Sequence, residues 1–102
     1  MPNPLLKGLR PIHPGEMLRE DILPAIGRPK TEIARLLGIS RQTLYDILNE
    51  KQPVTPAMAL RFAKMFGGSA ESWTNMQRNY DLKIAEAQLG DALDRIPFLE
   101  AA

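Results

Sequence analysis

Residues 30 to 49 read KTEIARLLGISRQTLYDILN and contain two short helical patterns separated by a single glycine. In the first pattern Ile33, Leu36 and Leu37 recur at helical spacing, which predicts that they point to one side. Gly38 follows them, and glycine tolerates the left-handed backbone that commonly ends a helix. This stretch therefore predicts two helices joined by a tight turn.

The second helical pattern separates apolar from polar side chains. Ser40 is placed to cap this helix by accepting a hydrogen bond from a free backbone N–H. Leu44, Ile47 and Leu48 are predicted to pack back onto the first helix. The outward-facing side chains are long and mostly able to form hydrogen bonds: Arg41, Gln42, Tyr45, Asp46 and Asn49. Such a pair is typical of a helix-turn-helix, whose second helix reads DNA in the major groove.

The outward row of the second helix contains the candidates for base readout. Gln can contact adenine and Arg can contact guanine, and Arg41 and Gln42 lie in the first turn, which reaches base edges. Tyr45 is expected to press on a thymine methyl or to donate to a phosphate. Asn49 is expected either to contact DNA or to end the helix. Asp46 is repelled by phosphates unless it accepts from cytosine, so we interpret it as structural or as selecting against wrong sequences.

A second group of side chains is predicted to contact the DNA backbone or to cap helices. Lys51 and Gln52 follow the second helix and precede Thr55, where a new helix starts with free N–H groups that favour a phosphate. The whole group is Lys30, Thr31, Ser40, Thr43, Lys51, Gln52 and Thr55. The alternative for its lysines is an ordinary solvated surface position.

Composition restricts the class of protein. With 102 residues, of which 44% are hydrophobic, we expect one domain with a modest core that a partner subunit would extend. The absence of cysteine excludes disulfides and thiolate metal sites. No apolar run approaches the ~20 residues of a membrane span, and Lys7 interrupts the leucines that could begin a signal peptide. We therefore expect a soluble, cytoplasmic protein with no membrane partner.

The net charge of +1 conceals an uneven distribution. Residues 28 to 64 carry seven basic and three acidic side chains, whereas residues 65 to 102 carry three basic and six acidic ones. Attraction to DNA depends on such local patches rather than on the total charge. The basic centre coincides with the helix-turn-helix and predicts a DNA face, and the acidic end predicts a surface turned away from DNA.

Catalytic and metal sites are not expected. The only histidine, His13, lies three residues before Glu16, but a zinc site takes at least three protein ligands and no second His or any Cys is available. We interpret His13 as part of a helix start with Pro14 and Gly15. The chain also lacks the Gly-x-Ser-x-Gly motif of a serine nucleophile. We expect no catalytic residue, no metal and no cofactor, and we do not predict an enzyme.

Along the chain, the pattern predicts an all-α fold with five helices. The expected divisions are an N-terminal arm over 1–10, a DNA-binding domain over 11–88 that contains the bihelical motif 30–49, and a C-terminal tail over 89–102. The first helix is predicted to begin at Pro14 and to end at Pro24. The last, long helix carries a helically spaced seam that predicts core packing or a dimer interface, with an aromatic ligand cage as the alternative. This seam consists of Trp73, Met76, Tyr80 and Ile84.

Four motifs together resemble the HigA-type antitoxins, which belong to the XRE or lambda-repressor-like helix-turn-helix family. They are RPIHPGE at 10–16, GISRQTL at 38–44, TPAMALR at 55–61 and ESWTNMQ at 71–77. The resemblance implies a dimer that binds double-stranded operator DNA in its own promoter, represses transcription, and holds a HigB-like, mRNA-cleaving toxin inactive. It also implies that the exposed positions of the second helix read DNA. Pro29 departs from the family pattern, in which Ser or Thr caps the first helix of the motif.

Two other functions are compatible with the same residues. One is an orphan repressor with this fold and no toxin partner. The other is a protein-interaction module that does not bind DNA and docks through Trp73 and the tail from residue 89 to residue 99.

Overall fold

The computed structural model describes residues 10–101, so the predicted arm lies outside the described residues except for Arg10. Six helices and no strand occur within this range, which confirms the all-α fold class. Five of them form the predicted domain, and the sixth is a single short turn inside the predicted tail. The helices are α1 (residues 14–26), α2 (Lys30–Leu37), α3 (Arg41–Leu48), α4 (Pro56–Phe66), α5 (Ala70–Leu89) and α6 (Asp91–Asp94).

Helix α1 passes through Pro24, so the predicted end at that residue is wrong. Its middle, Leu18–Ile22, is π-helical, and the Leu23 N–H donates to the Leu18 carbonyl five residues earlier. A proline in a regular α-helix clashes with the carbonyl four residues before it, and the wider turn makes room for the ring. The helix ends instead at Gly27, whose φ of 73° is left-handed.

The turn between α2 and α3 forms as predicted. Gly38 has a φ of 76°, and the Ile39 N–H donates to the Ala34 carbonyl over 3.1 Å, which closes the end of α2. Ile33 and Leu37 are buried, but Leu36 is 49% exposed, so the prediction that all three point to one side is wrong for Leu36. The buried stripe of α2 uses Ala34 in its place, because a small side chain lets α3 approach.

The core lies where the first five helices, α1 to α5, meet. Leu18, Leu44, Ile47 and Phe62 are completely buried there. Trp73 on α5 is 4% exposed and packs edge-on against Phe62, with ring centroids 5.2 Å apart. Trp73 is therefore part of the core, as the core-packing alternative for the seam predicted. The predictions that it contributes to a dimer interface or a docking surface are wrong, because a partner could not reach its ring.

Helix α5 extends beyond this core. Every residue from 85 to 101 is exposed, and the chain measures 55 × 31 × 23 Å. Several large apolar side chains at this end are exposed: Leu89, Leu93, Ile96, Phe98 and Leu99. None of the helices within residues 10–101 combines the length and the apolar composition that crossing a membrane requires.

Candidate nucleic-acid interface

Helix α3 lies on the surface with its predicted polar row outward. Leu44, Ile47 and Leu48 are at most 2% exposed and attach the helix to the core. On the other face Arg41, Gln42, Tyr45 and Asn49 are exposed and Asp46 is half-buried. An α-helix of this diameter fits the major groove of B-DNA, so this row is the candidate surface for base contacts.

The start of α3 is stabilised by its own side chains. The Ser40 Oγ accepts from the Thr43 backbone N–H over 3.0 Å and donates to the Thr43 Oγ1 over 2.8 Å. Ser40 therefore acts as the N-cap, one of the two roles predicted for it. Thr43 is half-buried beside it. This cap holds the first turn, and with it Arg41 and Gln42, in helical geometry.

Gln42 and Asp46 form a hydrogen bond one turn apart on the exposed face. The Gln42 Nε2 donates to the Asp46 Oδ1 over 2.7 Å. Asp46 therefore has a structural contact on the exposed face of α3, which agrees with the structural alternative predicted for it.

The end of α3 is held by a contact that sequence reasoning did not find. Asn49 is the C-cap, as one of its two alternatives proposed, and Glu50 follows with a left-handed φ of 61°. Arg19 on α1 donates to the Leu48 carbonyl over 2.5 Å and lies 3.4 Å from the Glu50 carboxylate. An unusual backbone angle for a non-glycine residue persists where such surroundings hold it in place. No sequence signal connects Arg19 to residues about thirty positions away.

Two further hydrogen bonds hold the loop after α3 and the start of α4 in place. The Thr55 Oγ1 accepts from the Met58 N–H over 3.2 Å and caps α4, as predicted. The buried Gln77 on α5 accepts from the Val54 N–H over 2.8 Å and donates to Asp81 over 2.9 Å. The sequence marks Gln77 only as part of a family motif, whereas in the folded chain its buried amide anchors this loop. Lys51 is exposed and Gln52 is half-buried.

The start of α2 has no side-chain cap. Pro29 occupies the N-cap position and makes no side-chain hydrogen bond, so the departure from the family pattern has a structural consequence. Lys30 and Thr31 are exposed beside the uncapped N–H groups. An uncapped helix start with a lysine is a favourable place for a phosphate.

The end of α2 is capped from α4. The Arg61 Nη1 donates to the Leu37 carbonyl over 2.6 Å. A Cβ atom at Gly38 would lie 2.8 Å from this guanidinium, which is the movable end of a long side chain, so it is the left-handed backbone angle that favours glycine there. After Arg19 and Gln77, Arg61 is the third residue whose structural role the sequence did not reveal.

Helix α1 packs against α3 through a very close backbone contact. A Cβ atom at Gly15 would lie 1.8 Å from the Ile47 carbonyl oxygen. His13 is 2% exposed, and its Nδ1 accepts from the Gly15 N–H over 2.9 Å, as expected for a helix start. Burial lowers the pKa of His13, and this effect outweighs the raising influence of Glu50 and Asp81.

The charged side chains near α2 and α3 are unevenly paired. Within residues 10–101, Glu32 lies 2.9 Å from Arg28 and Glu50 pairs with Arg19. Asp46 accepts from Gln42. All three acidic groups of the basic segment are thus engaged, whereas no carboxylate of the described residues lies within 4 Å of the exposed cations on α2, α3 and the loop after α3: Lys30, Arg35, Arg41 and Lys51. These cations are available to phosphates.

The remaining seam residues lie partly exposed along α5. Tyr80 packs edge-on against His13, with ring centroids 5.0 Å apart, and Met76 and Ile84 are half-buried. Unlike the buried Trp73, these three side chains keep exposed surface that a partner could contact. Residues 10–101 contain no group of three or more His, Asp or Glu side chains that could hold a metal ion.

Comparisons with known proteins agree with this geometry. A model of the helix-turn-helix family matches residues 18–73. Virulence-associated protein I of Dichelobacter nodosus is 45% identical over 75 residues, which are 74% of this chain and 69% of that protein. The solved antitoxin GraA has a TM-score of 0.84 at 40% identity and covers 90% of this chain and 100% of GraA. The Pseudomonas aeruginosa antitoxin HigA, solved with the higBA promoter, has a TM-score of 0.84 at 37% identity. The match covers 89% of this chain and 100% of that antitoxin chain.

Proposed function

Since the chain belongs to the helix-turn-helix family, a non-enzymatic DNA-binding fold, and resembles its HigA-type antitoxins as the four motifs predicted, we propose that it is an antitoxin and an autorepressor. In this function a dimer binds operator DNA in its own promoter and represses transcription. The same protein neutralises a HigB-like toxin that cleaves mRNA. Both activities take place in the cytoplasm.

The observation that carries the proposal is the exposed polar row of α3 above a completely buried apolar face. Arg41 and Gln42 project from a capped first turn, which is the end of a recognition helix that reaches base edges. Tyr45 follows one turn later and contacts a thymine methyl or a phosphate. Glu32 and Glu50 are paired with arginines, so these two carboxylates oppose DNA less than free ones would.

The contacts with the sugar-phosphate backbone come from the two ends of the motif. Lys30 and Thr31 lie at the uncapped start of α2, and Lys51 lies beyond the end of α3. Together they would fix the position of α3 in the groove without contributing to sequence preference.

A homodimer follows from the need to read two half-sites. Two recognition helices would enter neighbouring major grooves about 34–36 Å apart, so the operator should be pseudo-palindromic. Met76, Tyr80 and Ile84 on α5, with the exposed apolar side chains after Leu82, are the candidate dimer surface. An interface there would lie on the acidic half of the chain and would leave the basic half for DNA.

The experiment that tests the repressor function is a gel shift with the DNA upstream of the gene. We expect a shifted complex that weakens as salt is raised, because bound cations displace counterions from the phosphates. Unrelated DNA of equal length is the control. Equal binding to both fragments would contradict an operator function.

The antitoxin function is tested by co-expression with the neighbouring reading frame. We expect the neighbour to arrest growth alone and to be tolerated and co-purified when this chain is present. An orphan repressor is the second candidate, because a relative from Haemophilus influenzae, 33% identical over 73 residues, bears the name of an HTH-type transcriptional regulator. A specific gel shift without any effect of the neighbour would favour that second function.

A further inference from the structure

We propose that Asp46 is a specificity-determining residue that restricts Gln42 to adenine. This inference rests on the proposed reading of DNA by α3. It starts from the hydrogen bond between the Gln42 Nε2 and the Asp46 Oδ1, which is 2.7 Å long and joins two residues one turn apart on the exposed face.

The chemistry of a glutamine amide makes this bond consequential. A free amide has two N–H donors on its nitrogen and an acceptor oxygen. It can therefore present one donor and one acceptor to a base, or turn its nitrogen alone toward the base and present two donors. Asp46 accepts one N–H of Gln42 and thereby removes the second arrangement. The remaining N–H and the Oε1 form a single donor and acceptor pair.

The two purines differ in what they offer to such a pair. In the major groove adenine presents an acceptor at N7 and a donor at N6, whereas guanine presents acceptors at both N7 and O6. The amide held by Asp46 satisfies both groups of adenine. Toward guanine it would place its oxygen against O6, and two acceptors repel each other. Asp46 thus excludes guanine without touching a base.

This orienting role also explains why a carboxylate is present on a helix that faces DNA. Its charge lowers affinity for every sequence alike, because phosphates surround the groove regardless of the bases. The orientation of Gln42 changes the ratio between sequences. The two effects are therefore separable, since a uniform change in affinity reports the charge and a change in the adenine to guanine ratio reports the hydrogen bond.

The test is a selection from a library of 20-base-pair random duplexes, with sequencing of the bound fraction. It compares the parent with Gln42→Ala, Asp46→Ala and Asp46→Glu at one salt concentration. We expect the parent to prefer adenine over guanine by about tenfold at one position of each half-site. Gln42→Ala should remove that preference. Asp46→Ala should reduce it to less than about threefold while raising overall affinity, and Asp46→Glu, which keeps an acceptor, should retain most of it.

A double-mutant cycle isolates the pair. In the Gln42→Ala background, Asp46→Ala should leave the ratio at that position unchanged, because no amide remains to be oriented. If Asp46→Ala retains the parent's ratio while the parent selects a defined operator, this inference is wrong and the proposed function stands. If the parent enriches no sequence at all, the proposed function fails and this inference fails with it. Circular dichroism spectra identical to the parent's confirm that each variant is folded.

Discussion

At the scale of single residues, one missing side chain decides how close α1 lies to α3. Gly15 has no side chain, and a methyl group there would meet the Ile47 carbonyl oxygen at 1.8 Å. Both groups belong to the backbone, so neither can rotate away, and α1 would have to separate from α3. Sequence reasoning treated Gly15 only as part of a helix start, because nothing local marks a contact with a residue more than thirty positions away.

Substitution of Gly15 by alanine should therefore destabilise the protein by at least the ~1–3 kcal/mol typical of overpacked positions. Urea unfolding followed by circular dichroism measures this. Asp21→Ala, on an exposed position of the same helix, is the matched control and should change the unfolding free energy by less than about 0.5 kcal/mol. An unchanged midpoint for Gly15→Ala would contradict the close packing of α1 on α3.

Two polar residues near the ends of α3 are expected to act on DNA in different ways. Gln42→Ala should lose about 1–3 kcal/mol of discrimination between the operator and a singly substituted operator. Lys51→Ala should weaken binding to all DNA sequences alike and reduce the dependence of affinity on salt. Fluorescence anisotropy titrations at several salt concentrations measure both effects. Parent-like binding by both variants would show that α3 is not the recognition helix.

At the scale of elements, the start of α1 depends on one buried histidine. His13 accepts from the Gly15 N–H through Nδ1, so that nitrogen must be unprotonated. Burial lowers the pKa of His13 below the ordinary value of 6.5. A depressed pKa means that the unfolded chain binds a proton more readily than the folded one. The stability is therefore complete above pH 6.5 and decreases as the pH falls toward the folded-state pKa.

Replacement of His13 by asparagine should remove this pH dependence, because asparagine can accept the same type of capping hydrogen bond and does not titrate. The measurement is the unfolding free energy in urea from pH 8 to pH 5. The parent should lose more stability than His13→Asn over the acidic half of that range. Parallel curves for the two proteins would refute the role given to His13.

At the scale of the whole molecule, basic and acidic surfaces occupy different halves of the chain. The basic segment carries α2 and α3, and the acidic segment carries α5 with its exposed apolar end. If α5 forms the dimer, two basic faces are free to contact one duplex. The half-buried Ile84 lies on the seam with Tyr80, and Leu82 is exposed on the opposite side of the same helix.

Ile84→Glu should shift the dimer toward monomer, because it places a charge in an apolar interface. Leu82→Glu introduces the same side chain outside the seam and should leave the dimer intact. Sedimentation equilibrium over a range of concentrations distinguishes the two species. Dissociation caused by Leu82→Glu but not by Ile84→Glu would assign the interface to the other side of α5.

Local sequence was sufficient for the features that depend on neighbours along the chain. The apolar spacing of Leu44, Ile47 and Leu48 predicted which side of α3 is buried, and the positions of Ser40 and Gly38 predicted where α3 starts and α2 ends. These features depend on groups within a few residues of each other, so a short window contains all the relevant chemistry. The outward row of α3 was predictable for the same reason.

Only the tertiary structure decided the features that depend on distant partners. Pro24 stays within α1 because the preceding π-helical turn makes room, and Trp73 faces the core because Phe62 lies against it. Arg19, Arg61 and Gln77 each hold backbone groups at least 23 residues away. Such contacts bring together residues whose separation along the chain carries no periodic signal. The sequence therefore determined which face of α3 is displayed, and the folded chain determined what holds that face in place.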